Sequence, residues 1–289
     1  MIRHIKQVRA AFSLLNPDEI RKRAEREVAI GLVASSDRGY TELEEFLLPE
    51  ELPGELRSAS LQNVYRAGNA NAQSKVDIVL YEPGLPCPRE AFQYRREDPS
   101  SVLEAILETH EDLSLALARH LPAFRKPVVD KIVQSVAREN AVFAVATALP
   151  NVVPNLFELP WTLGEFASDT VFLTVNQCRM ALLIAAACGA DVGFSRQRVE
   201  MLSIAAGAFG WRAIARELAG KIPLGGGLIP KGAIAYAGTF VVGKGLERYH
   251  QAKPPHTPQE REEIYRGAYD DGRTVVESAS NPASPTPAS

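Results

Sequence analysis

One segment of the chain approaches a known chemistry in residue type and spacing. Ala34-Ser35-Ser36-Asp37-Arg38-Gly39-Tyr40-Thr41 keeps the length of the phosphate loop G-x-x-x-x-G-K-[ST], its second glycine (Gly39) and its hydroxyl residue (Thr41). In such a loop backbone N–H groups cradle phosphates, the lysine neutralises their charge and the hydroxyl holds Mg²⁺. Here Ala34 replaces the first glycine and Tyr40 replaces the lysine, and a neutral phenol supplies no charge-assisted contact. Asp37 within the loop adds repulsion toward a polyphosphate. Ala34, Gly39, Tyr40 and Thr41 therefore read as a degenerate phosphate loop with its nucleotide affinity lost.

Such a loop must sit between a strand and a helix. The apolar run Glu27–Val33 predicts a buried strand and Thr41–Leu48 a short helix. Leu61–Arg66 and Lys75–Tyr81 predict further strands, the latter ended by Pro83 and Gly84. Asn16-Pro17-Asp18-Glu19 is a helix start, and Ser101-Val-Leu-Glu104 is a capping box that opens another helix. Tyr81-Glu82-Pro83-Gly84 ends a strand where small GTPases carry Asp-x-x-Gly, so Tyr81 and Gly84 read as a degenerate switch-like element lacking the acid that organises Mg²⁺. No Asn-Lys-x-Asp guanine-reading motif occurs. An unrelated small α/β sheet is the alternative reading of this region.

From Pro127 onward the patterns are helical. Val129, Ile132, Val133 and Val136 recur at helical spacing, and Trp161–Ala187, Arg196–Ala206, Trp211–Ala219 and Pro230–His250 read as helices, with a hinge at Gly225-Gly226-Gly227. Residues 131–250 hold only 11 basic and 8 acidic side chains, so their helices are expected to be buried on more than one face. Glu165, Asp169, Asn176 and Arg179 share one face of the Trp161–Ala187 helix, and Arg212, Arg216 and Glu217 lie on another helix. Buried charges must be paired, so these seven residues are expected to form a polar network, or else a groove for a partner. Catalysis by Glu165 and Asp169 has no nucleophile or metal ligands to support it. Ala235, Thr239 and Gly243 form a small-residue stripe suited to close helix packing or, if open, to docking. The match Gly238-Thr-Phe-Val-Val-Gly243-Lys244-Gly245 to a phosphate loop lies within a helical pattern and is read as packing.

The 289 residues are 46% hydrophobic and 23% charged with a net charge of −3, which excludes a wholly disordered chain and a general nucleic-acid binder. Cys87, Cys178 and Cys188 are too few and scattered for a disulfide framework, so no disulfide and a reduced cytoplasmic setting are expected. The five histidines, with no compact ligand spacing, read as solvated surface residues; no metal and no cofactor are expected. The longest uncharged stretch, Asn140–Phe157, is 18 residues long and contains Pro150 and Pro154, so it is not a confident membrane span.

The order of Asn140-Ala-Val-Phe-Ala-Val-Ala-Thr-Ala-Leu-Pro150, Leu173-Thr-Val-Asn-Gln177, Trp211-Arg-Ala-Ile-Ala-Arg-Glu-Leu218 and Ala235-Tyr-Ala-Gly-Thr239 resembles the helical domain of unknown function of YcjF-like proteins, commonly fused behind an Era-like GTPase domain. The resemblance covers roughly residues 125–250 and implies an all-helical, GTPase-associated, often membrane-proximal domain with no assigned chemistry. The upstream loop departs from it at Ala34 and Tyr40, so GTP hydrolysis is not carried over.

The expected architecture is α+β: a small, degenerate phosphate-loop-like α/β domain over 1–125, an apolar all-α domain over 126–250 and a Pro-rich, mostly flexible tail over 251–289, in which Thr257-Pro-Gln-Glu260 could cap a short helix. The expected role is a non-catalytic scaffold or regulator docking through its helical domain to an unknown protein partner or the inner membrane surface. An integral membrane protein and a weak nucleotide-binding enzyme are the alternatives.

Overall fold

The computed structural model describes residues 15–49, 52–67, 76–147, 169–206 and 227–280. The architecture is α+β: mostly helical, with one four-stranded parallel sheet. The chain divides into two compact units, one built from Asp18–Asp130 with Ala185–Val192, the other from Met1–Pro17, Lys131–Ile184 and Gly193–Ser289.

The first unit carries α1 (Pro17–Ala24), β1 (Ile30–Val33), α2 (Asp37–Leu47), α3 (Gly54–Leu61), β2 (Val64–Arg66), β3 (Ile78–Tyr81), β4 (Phe92–Gln93), α4 (Pro99–Thr109) and α5 (Ser114–His120). The strand order is β2-β1-β3-β4, with Ile30 opposite Val64 on one side and Ile78 on the other. Ile30, Leu32, Ile78 and Leu80, which the register places on one face of the sheet, are fully buried, as are Leu43, Leu47, Ile106 and Phe124 of the same unit. Burial at successive positions Ile30, Gly31 and Leu32 marks β1 as the central strand, whereas β3 alternates buried and half-buried residues and β2 is half-buried throughout. Helix α4 begins two residues before Ser101 because Asp98 is its cap and accepts from the Ser101 N–H.

One difference matters for function. Helix α2 begins at Asp37, four residues earlier than Thr41, because Ser36 caps it: its hydroxyl accepts from the Gly39 N–H at 3.1 Å. The β1–α2 connection is therefore only Ala34-Ser35-Ser36, and Gly39, Tyr40 and Thr41 lie within the helix.

The second unit is helical. Its main elements are α6 (Arg125–Ala146), α7 (Asp169–Ala187), the segment α8 (198–206), α9 (Leu228–His250) and α10 (Pro258–Ser280); the first six residues of α6 and the last three of α7 belong to the sheet unit. Ala235, Thr239 and Gly243 face inward on α9. A methyl group built on Gly243 would fall 2.6 Å from Val133 Cγ2 and 3.2 Å from Met180 Sδ, so the stripe is packed rather than open. The phosphate-loop-like run ending at Lys244-Gly245 is helical throughout.

Two expectations are corrected here. The Pro-rich tail over 251–289 is not mostly flexible: α10 occupies 23 residues of it, opened by a reciprocal capping box between Thr257 and Glu260. Ala268, Gly272 and Val276 recur at four-residue spacing and seat α10 on α9; a methyl on Gly272 would meet Tyr236 Cβ at 2.8 Å. His250, expected at the surface, has a side chain only 8% exposed.

Gly243→Leu should unfold or strongly destabilise the helical unit. The obstructing atoms are branched methyls close to the α6 backbone, with little freedom to move, and overpacking of this kind costs about 1–3 kcal/mol or more. A melting temperature within error of wild type in circular dichroism would contradict the close packing.

Candidate functional site

In an open parallel sheet, ligands bind beyond the carboxyl ends of the strands, where the strand order reverses. Here β1 is flanked by β2 on one side and β3 on the other, so that place lies past Val33 and Tyr81, between the Ala34–Ser36 connection and the Glu82–Gly84 turn. It coincides with the N-terminus of α2, whose free N–H groups and dipole favour an anion.

The anion there is the protein's own. Glu82 leaves β3 and places Oε2 2.7 Å from the Ser35 N–H and 2.8 Å from the Ser35 hydroxyl, accepting from both. The Ser35 backbone N–H and then its hydroxyl hold the Glu82 carboxyl below the usual carboxylate range. Gly39 makes this possible: a Cβ there would lie 2.6 Å from the Glu82 carboxyl. Gly84 has a different cause. Glu82-Pro83-Gly84-Leu85 turns with Leu85 N–H donating to the Glu82 carbonyl, and Gly84 takes φ +86°, a left-handed conformation that glycine adopts without strain. Both glycines shared with the nucleotide motifs thus have local structural reasons.

The remaining motif positions are similarly occupied. The Tyr40 hydroxyl donates to the Ala67 carbonyl at 3.3 Å, and the Arg66 guanidinium lies 5.2 Å from the Tyr40 ring centre. Thr41 donates to the Asp37 carbonyl one turn back, the usual fate of a threonine inside a helix. Tyr81 ends β3, and its carbonyl accepts from Tyr94 N–H. Two of the nearby guanidiniums are committed: Arg66 grips Glu44 through two hydrogen bonds of 2.7 and 2.9 Å, and Arg96 grips Glu42 in the same two-pronged manner, while Arg38 in the first turn of α2 is exposed and acts on Glu42 only through its charge. The Arg96 contact lowers Glu42's proton affinity and raises that of Arg96.

The polar network of the helical unit is only partly the one expected. Glu165, Arg212, Arg216 and Glu217 lie outside the described residues, and Asp169 opens α7 with its side chain likewise outside them. Asn176 and Arg179 are brought together, but their partners come from α6. Arg179 Nη2 lies 2.5 Å from Glu139 Oε2, and Asn176 Nδ2 donates to Glu139 at 3.0 Å and to Asn140 Oδ1 at 2.9 Å. Asn140 donates onward to Thr239 Oγ1 at 2.8 Å, which also accepts from Gln177 and donates to the Ala235 carbonyl. Glu139 and Asn140 were missed, although Asn140 continues the apolar series of Val129, Val133 and Val136 and so marks a polar side chain aimed at the core. Among the described residues, no group of three or more His, Cys, Asp or Glu side chains could hold a metal ion.

A cavity of about 440 Å³ also lies along α9 and α10, with Phe240, Ile264 and Ala268 among its lining. Of its lining charges, Lys244 pairs with Glu247 at 2.8 Å, and Arg248 pairs at 3.6 Å with Glu260 outside the lining.

The chain matches no family model, no curated protein and no solved structure.

Two outcomes follow from these geometries. Glu82's contribution to stability is present above the ordinary carboxyl range and is lost as pH falls through its depressed value. In Gly39→Ala the new methyl should evict the carboxylate, so its titration, followed by side-chain carboxyl NMR, should rise toward the ordinary glutamate value of about 4.3. An unmoved midpoint would mean that Gly39 does not admit Glu82. Arg179→Met should cost about 2–4 kcal/mol by stranding Glu139, and adding Glu139→Leu should restore much of it. Equal melting of the single and double variants would contradict the coupling.

Proposed function

We propose that this protein is a non-catalytic scaffold or regulatory protein of the GTPase-associated kind, docking through its helical unit to a protein partner or a membrane surface. The observation that carries this reading is Glu82 seated on Ser35 at the α2 N-terminus. The position that a nucleotide phosphate would need is filled by a carboxylate, and Arg66 and Arg96 nearby are paired with Glu44 and Glu42. The short β1–α2 connection also leaves too little backbone to wrap a phosphate chain. These features favour a degenerate phosphate-loop domain without catalysis over a weak nucleotide-binding enzyme.

The helical unit is proposed to be YcjF-like. Three of the segments that carry that resemblance supply Asn140, Asn176, Gln177 and Thr239 to one buried network, which supports a shared structural role for them. No described helix is long and apolar enough to cross a membrane, which weighs against the integral alternative. The Ala235–Thr239–Gly243 stripe is consumed by packing, so docking falls to exposed apolar side chains of this unit: Phe194, Val199, Leu202 and Tyr249.

Titration calorimetry with GTP and Mg²⁺ should show no binding tighter than millimolar, since a lost charge-assisted phosphate contact removes about two or more decades of affinity. Micromolar binding would sink the proposal. For docking, wild-type protein should co-sediment with anionic vesicles or crosslink to one protein, and Leu202→Glu should abolish that while melting like wild type. Neither association in wild type, or both intact in the variant, would remove the docking role from this surface.

A further inference from the structure

Helix α8 and the C-terminal end of α9 meet at a buried pair of titratable side chains. His250 Nε2 lies 3.7 Å from Glu200 Oε1, with the two side chains 8% and 6% exposed. That separation is too long for a hydrogen bond. Among the described residues, neither His250 Nε2 nor Glu200 Oε2 has a hydrogen-bond partner. Buried polar atoms in folded proteins are overwhelmingly satisfied, so an open pair of this kind calls for an explanation.

We propose that this pair is a proton-operated latch: the neutral imidazole lets α8 rest on α9, and protonation of His250 releases α8. The sign follows from the competition at the ring. Glu200 favours the charged imidazole, as does the carbonyl end of α9, at which His250 is the last residue. Burial opposes both and outweighs them, holding the proton affinity of His250 below its ordinary value. Among the described residues, Glu200 is the charged group that acts on it, and the Tyr249 ring lies edge-on at 5.3 Å. The nearest charges on its own helix are committed elsewhere, Glu247 to Lys244 and Gln251, Arg248 to Glu260 and the Pro254 carbonyl.

A ring that takes a proton more readily when released than when seated must be released by acid. The latch is intact above the ordinary histidine range, about pH 6.5, and is lost as pH falls through and below it. Release would uncover Met201 and Ile204, now buried, beside Val199 and Leu202, which are already 63% and 64% exposed. Four apolar side chains within one short helix would then face water together, a surface whose availability depends on pH. The device does not depend on the scaffold reading above.

Hydrogen exchange of the full chain at pH 7.5, 6.5 and 5.5, corrected for intrinsic exchange rates, tests it. Protection of residues 198–206 should fall by a factor of roughly three or more toward acid while the centre of α9 stays constant. His250→Phe keeps a ring without a titrating nitrogen, and His250→Gln offers a smaller substitute; both should make protection independent of pH. Glu200→Gln removes the anion that favours the charged ring and should enlarge the acid loss. Wild-type protection that is constant or rises toward acid overturns the latch, whatever the variants do. So does the wild-type profile persisting in both histidine variants.

Discussion

Gly232 and Gly243 on α9 and Gly272 on α10 leave no room for even a methyl group, and the organisation of the helical unit depends on that close approach. A Cβ on Gly232 would collide with Val276 at 2.4 Å and Val145 at 2.8 Å, while one on Gly243 would strike Val133. Helix α9 is thus held against α6 on one side and α10 on another by absent side chains rather than large ones. Proximity of this degree puts backbone and short polar groups within reach of one another. The hydroxyl of Thr239, fully buried, can then be met by Asn140 and Gln177 from different helices. The network satisfies its members internally, and it fixes helix register because amide and hydroxyl partners match in one alignment only.

The sheet unit applies a similar economy to a different problem. A helix N-terminus beside the reversal point of a parallel sheet is a concentration of unpaired N–H groups, and something must answer it. Glu82 does so from the neighbouring strand, with Ser36 capping from within. The same two features that resemble a nucleotide site, a glycine in the first turn of the helix and a glycine after the next strand, are what an internal carboxylate and a tight turn also require.

The strands were legible because Ile30–Val33 and Ile78–Tyr81 are short apolar runs bounded by turn residues, and such runs have few alternatives in a folded chain. The start of α2 was not, because Ser36 competes as a cap with the loop that the motif spacing suggests. The start of helix α10 was legible in Thr257-Pro-Gln-Glu260, but its length was not. Its packed side, Tyr265, Ala268, Tyr269, Gly272, Val275 and Val276, is interrupted by charged and polar residues in sequence, and the charged outer face dominates the pattern. In the polar network, the residues on α7 were readable from their spacing, whereas the identity of their partners depended on which helix lies alongside. That is a tertiary fact: the spacing of Asn140 aims it at the core without naming its partner, and Glu139 carries no local signal at all. The burial of His250 has the same origin, since it depends on Glu200 being brought to it from 50 positions away.

The placement of α10 has a consequence for the integrity of the chain. The stretch between α9 and α10 includes exposed Lys253, Pro254 and Pro255, and a protease cutting there would leave α10 attached by packing alone. The surface it covers includes Tyr236 and Ala237, with Ala137 and Ala141 of α6 beneath. Once bared, that surface is flat, apolar and rich in small residues, the kind of face that another helix can adopt without adjustment. A nicked or shortened protein would therefore not merely lose stability. It would become adhesive, recruiting a neighbour's helix in place of its own, and would enter the population that chaperones and degradative machinery survey.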